Sequence, residues 1–129
     1  QALSTKRLMV VDDQVSLTRI VDSIARDVGL DVKVINDPTE ALDAFLSFRP
    51  DILLLDMVMP EKDGVDVLQE LMLTGVDSKI ILTSGFTESY ARLAEDVASF
   101  HNKGPLRLLK KPFRRDHLMA LLRKVMAED

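Results

Sequence analysis

The run Ile52-Leu53-Leu54-Leu55-Asp56-Met57-Val58-Met59-Pro60 restricts the fold of this chain more than any other stretch. Consecutive large aliphatics with no polar alternation suit a strand buried on both faces, as in a parallel sheet covered by helices. Asp56 then stands at the carboxyl end of that strand, where open α/β sheets place their functional groups. A carboxylate beside so much hydrocarbon is costly unless it is paired or used. From this stretch alone, a strand-ending cap and a reactive group are equally good readings.

The 129 residues are enough for one domain with a substantial core and too few for two, so residues 1–129 are expected to form a single unit with its core at about 6–127. Apolar residues make up 47% and charged residues 29%, the balance of a soluble globular protein. A net charge of −4 disfavours nonspecific attraction to nucleic acid or an anionic membrane. The absence of cysteine excludes a disulfide framework, a thiol nucleophile and a Cys-based metal site. No apolar stretch approaches membrane-spanning length, and the N-terminus lacks a signal-peptide core. These features together lead to the expectation of a cytoplasmic location. The chain opens on Gln1 and its first methionine, Met9, falls in an expected strand, which reads as a chain trimmed, tagged or cut from something longer.

Along the chain, short apolar runs alternate with segments of helical period. Leu8-Met9-Val10-Val11 is a strand ending in Asp12-Asp13, and Leu17, Ile20, Val21, Ile24 and Val28 mark an amphipathic helix. Asp31 to Ile35 alternates like an edge strand. Asp37-Pro38-Thr39-Glu40 is a helix start with an N-cap, a proline at the first position and a capping-box Glu. After the Ile52–Asp56 strand, Asp63 caps a helix carrying Val65, Leu68, Leu71 and Met72 inward. Lys79 to Thr83 is a fourth strand closed by Ser84-Gly85, and Thr87 begins a helix with Tyr90, Leu93, Ala94, Val97 and Phe100 inward. His101 to Pro105 reads as loop, Leu106 to Lys110 as a fifth strand and Arg114 to Ala127 as a final helix. The expected class is α/β: a flavodoxin-like, doubly wound five-stranded parallel sheet of order 2-1-3-4-5, with five helices on both faces.

That order puts the ends of strands one and three side by side, and with them Asp12, Asp13 and Asp56. Like charges this close share a proton or bind a cation, and hard oxygen donors without His or Cys suit Mg²⁺. Asp13 is also a candidate cap for the first helix. Ser84 and Lys111 end strands four and five on the same edge. A hydroxyl donor and a point cation are suited to phosphate oxygens. The set supplies a carboxylate nucleophile, a metal site, a hydroxyl and a cation, the equipment for forming an acyl phosphate on Asp56.

The same residues resemble the response regulator receiver domains of two-component signalling. Asp12-Asp13 follows strand one, and Asp56-Met57-Val58-Met59-Pro60-Glu61-Lys62-Asp63-Gly64 fits the family's D-x-x-M-P-x-x-D-G run. Ser84-Gly85 and Lys111-Pro112-Phe113 follow in the right order. The resemblance implies that Asp56 is the phosphoacceptor. It implies that Asp13 and Asp56 ligate Mg²⁺ directly, Asp12 through water, and Val58 through its backbone carbonyl. Lys111 would pair with phosphoryl oxygens ahead of a cis bond to Pro112, and Ser84 would move toward the phosphate. The implied partner is a histidine kinase or histidine phosphotransfer protein, with an unidentified output domain or protein. On this reading the chain is a signalling module, not an enzyme with an external substrate, although it catalyses its own phosphorylation and dephosphorylation. Neither direct nucleic-acid binding nor a membrane role is implied.

Some positions depart from the family pattern. Leu108 stands where the family usually has Tyr or Phe, and His101 to Pro105 replaces the common Gly-Ala turn. The output is therefore expected at the helix beginning at Thr87 and its following loop, and the family's usual homodimer is not expected. Val58 and Phe86 are apolar where polar residues can position an attacking water, so slow autodephosphorylation is expected. The competing functions are an Asp-nucleophile phosphohydrolase, a flavodoxin-like mononucleotide binder and a phosphorylation-independent pseudo-receiver. The first wants a second carboxylate where Val58 stands. The second wants a Ser/Thr/Gly-rich phosphate loop where Asp12-Asp13 stands, and the third sits poorly with an intact Asp13, Asp56 and Lys111.

Overall fold

In the computed structural model, which describes residues 5–60, 62–85, 92, 95–97, 99 and 106–128, with Ser84 as backbone only, the apolar runs form five strands. They are β1 (Arg7–Val11), β2 (Asp31–Ile35), β3 (Ile52–Asp56), β4 (Lys79–Ser84) and β5 (Arg107–Lys110). All neighbours pair in parallel, in the order β2-β1-β3-β4-β5. The register sets Leu8 to Val11 against Ile52 to Leu55 and brings Asp56 opposite Thr83. Central β3 is buried at every position, whereas edge strand β2 leaves Asp31 and Lys33 exposed.

Because successive side chains of a strand point to opposite faces, each strand feeds two cores. Met9, Val11, Leu53, Leu55, Ile80 and Leu82 pack with α2 (Ala41–Phe48) and α3 (Gly64–Met72). On the other face, Leu8, Val10, Ile52, Leu54, Ile81 and Leu109 pack with α1 (Val15–Asp27) and the C-terminal helix (Arg115–Met126). This is the expected doubly wound sheet with helices on both sides. Most of the helix expected from Thr87 lies outside the described residues, as does the loop His101 to Pro105; Arg92 and residues 95–97 and 99 are helical.

Two local expectations are corrected. Ile20 is 53% exposed, and Thr18 lies in the buried stripe with Val21, Ile24 and Ala25. At about 100° per residue, Ile20 falls just off the arc that those four positions define. Gln14, not Asp13, occupies the N-cap of α1, because its backbone N–H is taken by the Asp12 carboxylate at 2.9 Å. The segment at Asp37 does start a helix, with the Asp37 side chain accepting from the Thr39 N–H. Its first turn (Pro38–Glu40) is a 3₁₀ turn, and α2 proper begins at Ala41.

Candidate functional site

Strands β1 and β3 are neighbours, yet the helices that follow them pack on opposite faces, which opens a crevice at their carboxyl ends. Asp12, Asp13 and Asp56 meet there, each with a carboxylate oxygen within 4.8 Å of the others. Asp12 and Asp56 are both only 3% exposed, and Asp13 is partly exposed. Lys111, arriving from the end of β5, sets its Nζ 2.8 Å from Asp12 Oδ2 and 3.3 Å from Asp56 Oδ2. It also donates to Gln14 Oε1 at 3.4 Å. The Val58 backbone N–H donates to Asp56 Oδ1 at 3.2 Å. The Lys111–Pro112 peptide is cis, as the resemblance implied.

Helix α3 starts hard against this strand end. Its N-cap Asp63 accepts from the Val65 N–H at 2.9 Å, and the Gly64 N–H donates to the Met57 carbonyl at 3.2 Å. A Cβ on Gly64 would lie 2.5 Å from both the Asp56 carbonyl oxygen and Met57 Cα. Only glycine admits that approach without a shift of backbone.

Burial pushes the Asp56 carboxyl above its ordinary pKa, and the neighbouring Asp12 charge adds to the rise. Lys111 and the Val58 N–H pull the other way without cancelling it. Three carboxylates with oxygens within 4.8 Å of one another, offering only hard oxygen donors, fit a divalent cation of the Mg²⁺ type. Beside Lys111 lies a cavity of about 380 Å³ lined by Gln14, Leu17, Lys111, Pro112 and Phe113.

The structure thus brings together Asp12, Asp13, Asp56 and Lys111. Val58 sits next to them, 57% exposed. The Ser84 backbone ends β4 opposite Lys110, while its side chain, like Phe86, lies outside what is described. Leu108 is half exposed on β5. Residues that the sequence pattern did not single out also border the site. Gln14 contacts both Asp12 and Lys111, and Asn36 bonds the Asp12 backbone carbonyl. Asn36 directly follows β2 on the same carboxyl edge, which is the signal that could have found it.

The family profile of the response regulator receiver domain matches residues 8–123. The chain belongs to that family. Among curated relatives of this receiver domain, the DNA-binding response regulator MtrA of Mycolicibacterium paratuberculosis is 34% identical over 119 residues, covering 92% of this chain and 50% of MtrA. The response regulator MprA of Mycobacterium avium is 35% identical over 130 residues, covering 95% of this chain and 54% of MprA. The receiver domain therefore spans about half the length of the curated relatives it matches. Among solved structures, a signal receiver domain from Bermanella marisrubri superposes with a TM-score of 0.81 at 26% identity, over 95% of this chain and 99% of that one. The receiver domain of an HD domain-containing protein from Pseudomonas fluorescens gives a TM-score of 0.83 at 19% identity, over 95% of each chain, a likeness of fold alone.

Proposed function

We propose that this receiver domain accepts a phosphoryl group on Asp56 from a histidine kinase or histidine phosphotransfer protein, with Mg²⁺ held by Asp12, Asp13, Asp56 and the Val58 carbonyl. The observation carrying this reading is the convergence of three carboxylates and Lys111 at one strand edge, with Asp56 buried among them. An oxygen of ionised Asp56 attacks phosphorus, the P–N bond to the donor imidazole breaks, and its electron pair leaves on the imidazole nitrogen. Lys111 neutralises charge on the transferring oxygens, and the Val58 N–H steadies the Asp56 carboxylate through Oδ1. Bound Mg²⁺ supplies the remaining charge neutralisation at the phosphoryl oxygens. This is self-modification, with positioning as the main catalytic device.

Ser84, ending β4 on the same edge, donates its hydroxyl to the acyl phosphate and draws its loop inward. The surface formed by the helix from Thr87 and β5 then shifts population toward an active arrangement. By analogy with the DNA-binding response regulator MtrA, the domain is the input part of a longer regulator that binds DNA.

The test is mass measurement of the purified domain after incubation with a small-molecule phosphodonor and Mg²⁺. Wild type should gain one phosphoryl group and Asp56→Asn none; equal gain by both overturns the assignment. The same phosphorylated sample followed over time reports hydrolysis. Apolar Val58 beside the site makes it slow and Val58→Asn should hasten it, so rapid loss that the substitution leaves unchanged removes Val58 from this role.

A further inference from the structure

We propose that Asn36 is a positioning residue for the metal-binding carboxylates: its amide clamps the Asp12 carbonyl to the buried Thr18 hydroxyl and so sets the direction in which Asp13 projects. The proposal rests on the reading that Asp12, Asp13 and Asp56 hold Mg²⁺.

Asn36 Nδ2 donates to the Asp12 carbonyl oxygen at 2.9 Å and to Thr18 Oγ1 at 2.9 Å, which uses both amide protons. The Thr18 hydroxyl passes its own proton to the Val15 carbonyl at 3.0 Å. An unbroken chain of hydrogen bonds therefore runs from the end of β2, across the acidic loop, to the first turn of α1. The Asp12 N–H is held from the same side, donating to the Ile35 carbonyl at 3.0 Å. Residues 35 and 36 thus grip both the N–H and the C=O of Asp12.

The Asp12 carbonyl and the Asp13 N–H belong to one planar peptide unit. Fixing that carbonyl fixes the plane on which the Asp13 Cα hangs. Asp12 and Asp56 have side-chain partners of their own in Gln14, Lys111 and Val58. Among the described residues no hydrogen bond reaches the Asp13 carboxylate, which hangs from the peptide plane that Asn36 holds. Thr18 is only 1% exposed, in a stripe otherwise filled by Val21, Ile24 and Ala25. A hydroxyl there is costly unless both its bonding capacities are met, and Asn36 and Val15 meet them.

A residue that merely stabilised α1 would alter folding and leave metal affinity alone. The discriminating measurement is the Mg²⁺ dissociation constant of the folded domain by isothermal titration calorimetry, with a urea midpoint taken in chelator for each variant. Asn36→Ala should weaken Mg²⁺ about 10-fold, the scale on which partners that orient metal ligands act. Thr18→Val should shift it in the same direction, while Thr18→Ser, which keeps the hydroxyl, should bind as wild type does. Unchanged Mg²⁺ affinity in folded Asn36→Ala overturns the proposal, whatever the urea midpoint does. If that variant does not fold, Thr18→Val against Thr18→Ser decides by the same criterion. Wild type that fails to bind Mg²⁺ at all overturns the parent reading together with this one, whereas wild-type binding matched by the variants overturns this one only.

Discussion

Asp56 is pulled in two directions by its surroundings. Burial and the Asp12 carboxylate favour the protonated form, whereas Lys111 and the Val58 N–H favour the ionised one, and the first pair prevails. The folded chain therefore binds this proton more tightly than the unfolded chain does. Above the ordinary carboxylate range, folding takes up a proton, so the stability contributed by Asp56 falls as pH rises through the raised value. Above the raised value the full cost of holding the charge is present. Asp56→Asn removes that charge while keeping the shape. Without Mg²⁺ at pH 7, the variant is expected to melt a few degrees higher than wild type, the shift that about 1 kcal/mol makes in a domain of this size. The difference should shrink as the pH falls into the ordinary carboxylate range. Thermal melts of both proteins across that range check it, and an Asn variant less stable than wild type at neutral pH would refute it.

At the level of elements, the joint between β3 and α3 couples the phosphoacceptor to a helix. Gly64 lets the start of α3 rest on the Asp56–Met57 backbone, where a Cβ would meet two backbone atoms at 2.5 Å. Gly64→Ala must displace one of them. The expected loss is roughly 1–3 kcal/mol, the usual cost of overpacking a tight site, with slower phosphorylation because Asp56 moves with the strand end. Urea unfolding and phosphodonor kinetics on the same variant read both effects, and a variant that matches wild type in each would show that the joint yields freely. Element types were largely legible because they follow from period alone: unbroken apolar runs for β3, three- and four-residue steps for α1. Their edges were less so. Ile20 belongs to the apolar set by type but misses the buried arc by one position, and Asp13 has the chemistry of a cap while Gln14 has the backbone position.

Across the whole molecule, folding gathers negative charge that a divalent cation can balance, so stability and metal should be linked. Mg²⁺ at about 100 times its dissociation constant should add roughly 2.7 kcal/mol to the unfolding free energy of wild type. Chelator should remove that gain, and Asp56→Asn should lose most of it. Denaturation with and without Mg²⁺ measures this, and curves that coincide would break the link. Strand order, the two cores and the acidic edge could all be read from the chain, because burial and alternation are one-dimensional signals. Pairings between distant positions were not so accessible. Its place after β2 puts Asn36 on the right edge, but no linear pattern says that its amide bonds the Asp12 carbonyl 24 positions away, or that a threonine hydroxyl inside a helical stripe completes the link. Lys111 and Asp12, 99 positions apart, have a further consequence. Synthesis runs from the N-terminus, so all three acids leave the ribosome long before the lysine that balances two of them. A nascent chain halted short of β5 would have to close its sheet around uncompensated acid. The segment that carries Lys111, made after all three acids, is therefore the one that lets the first strand settle.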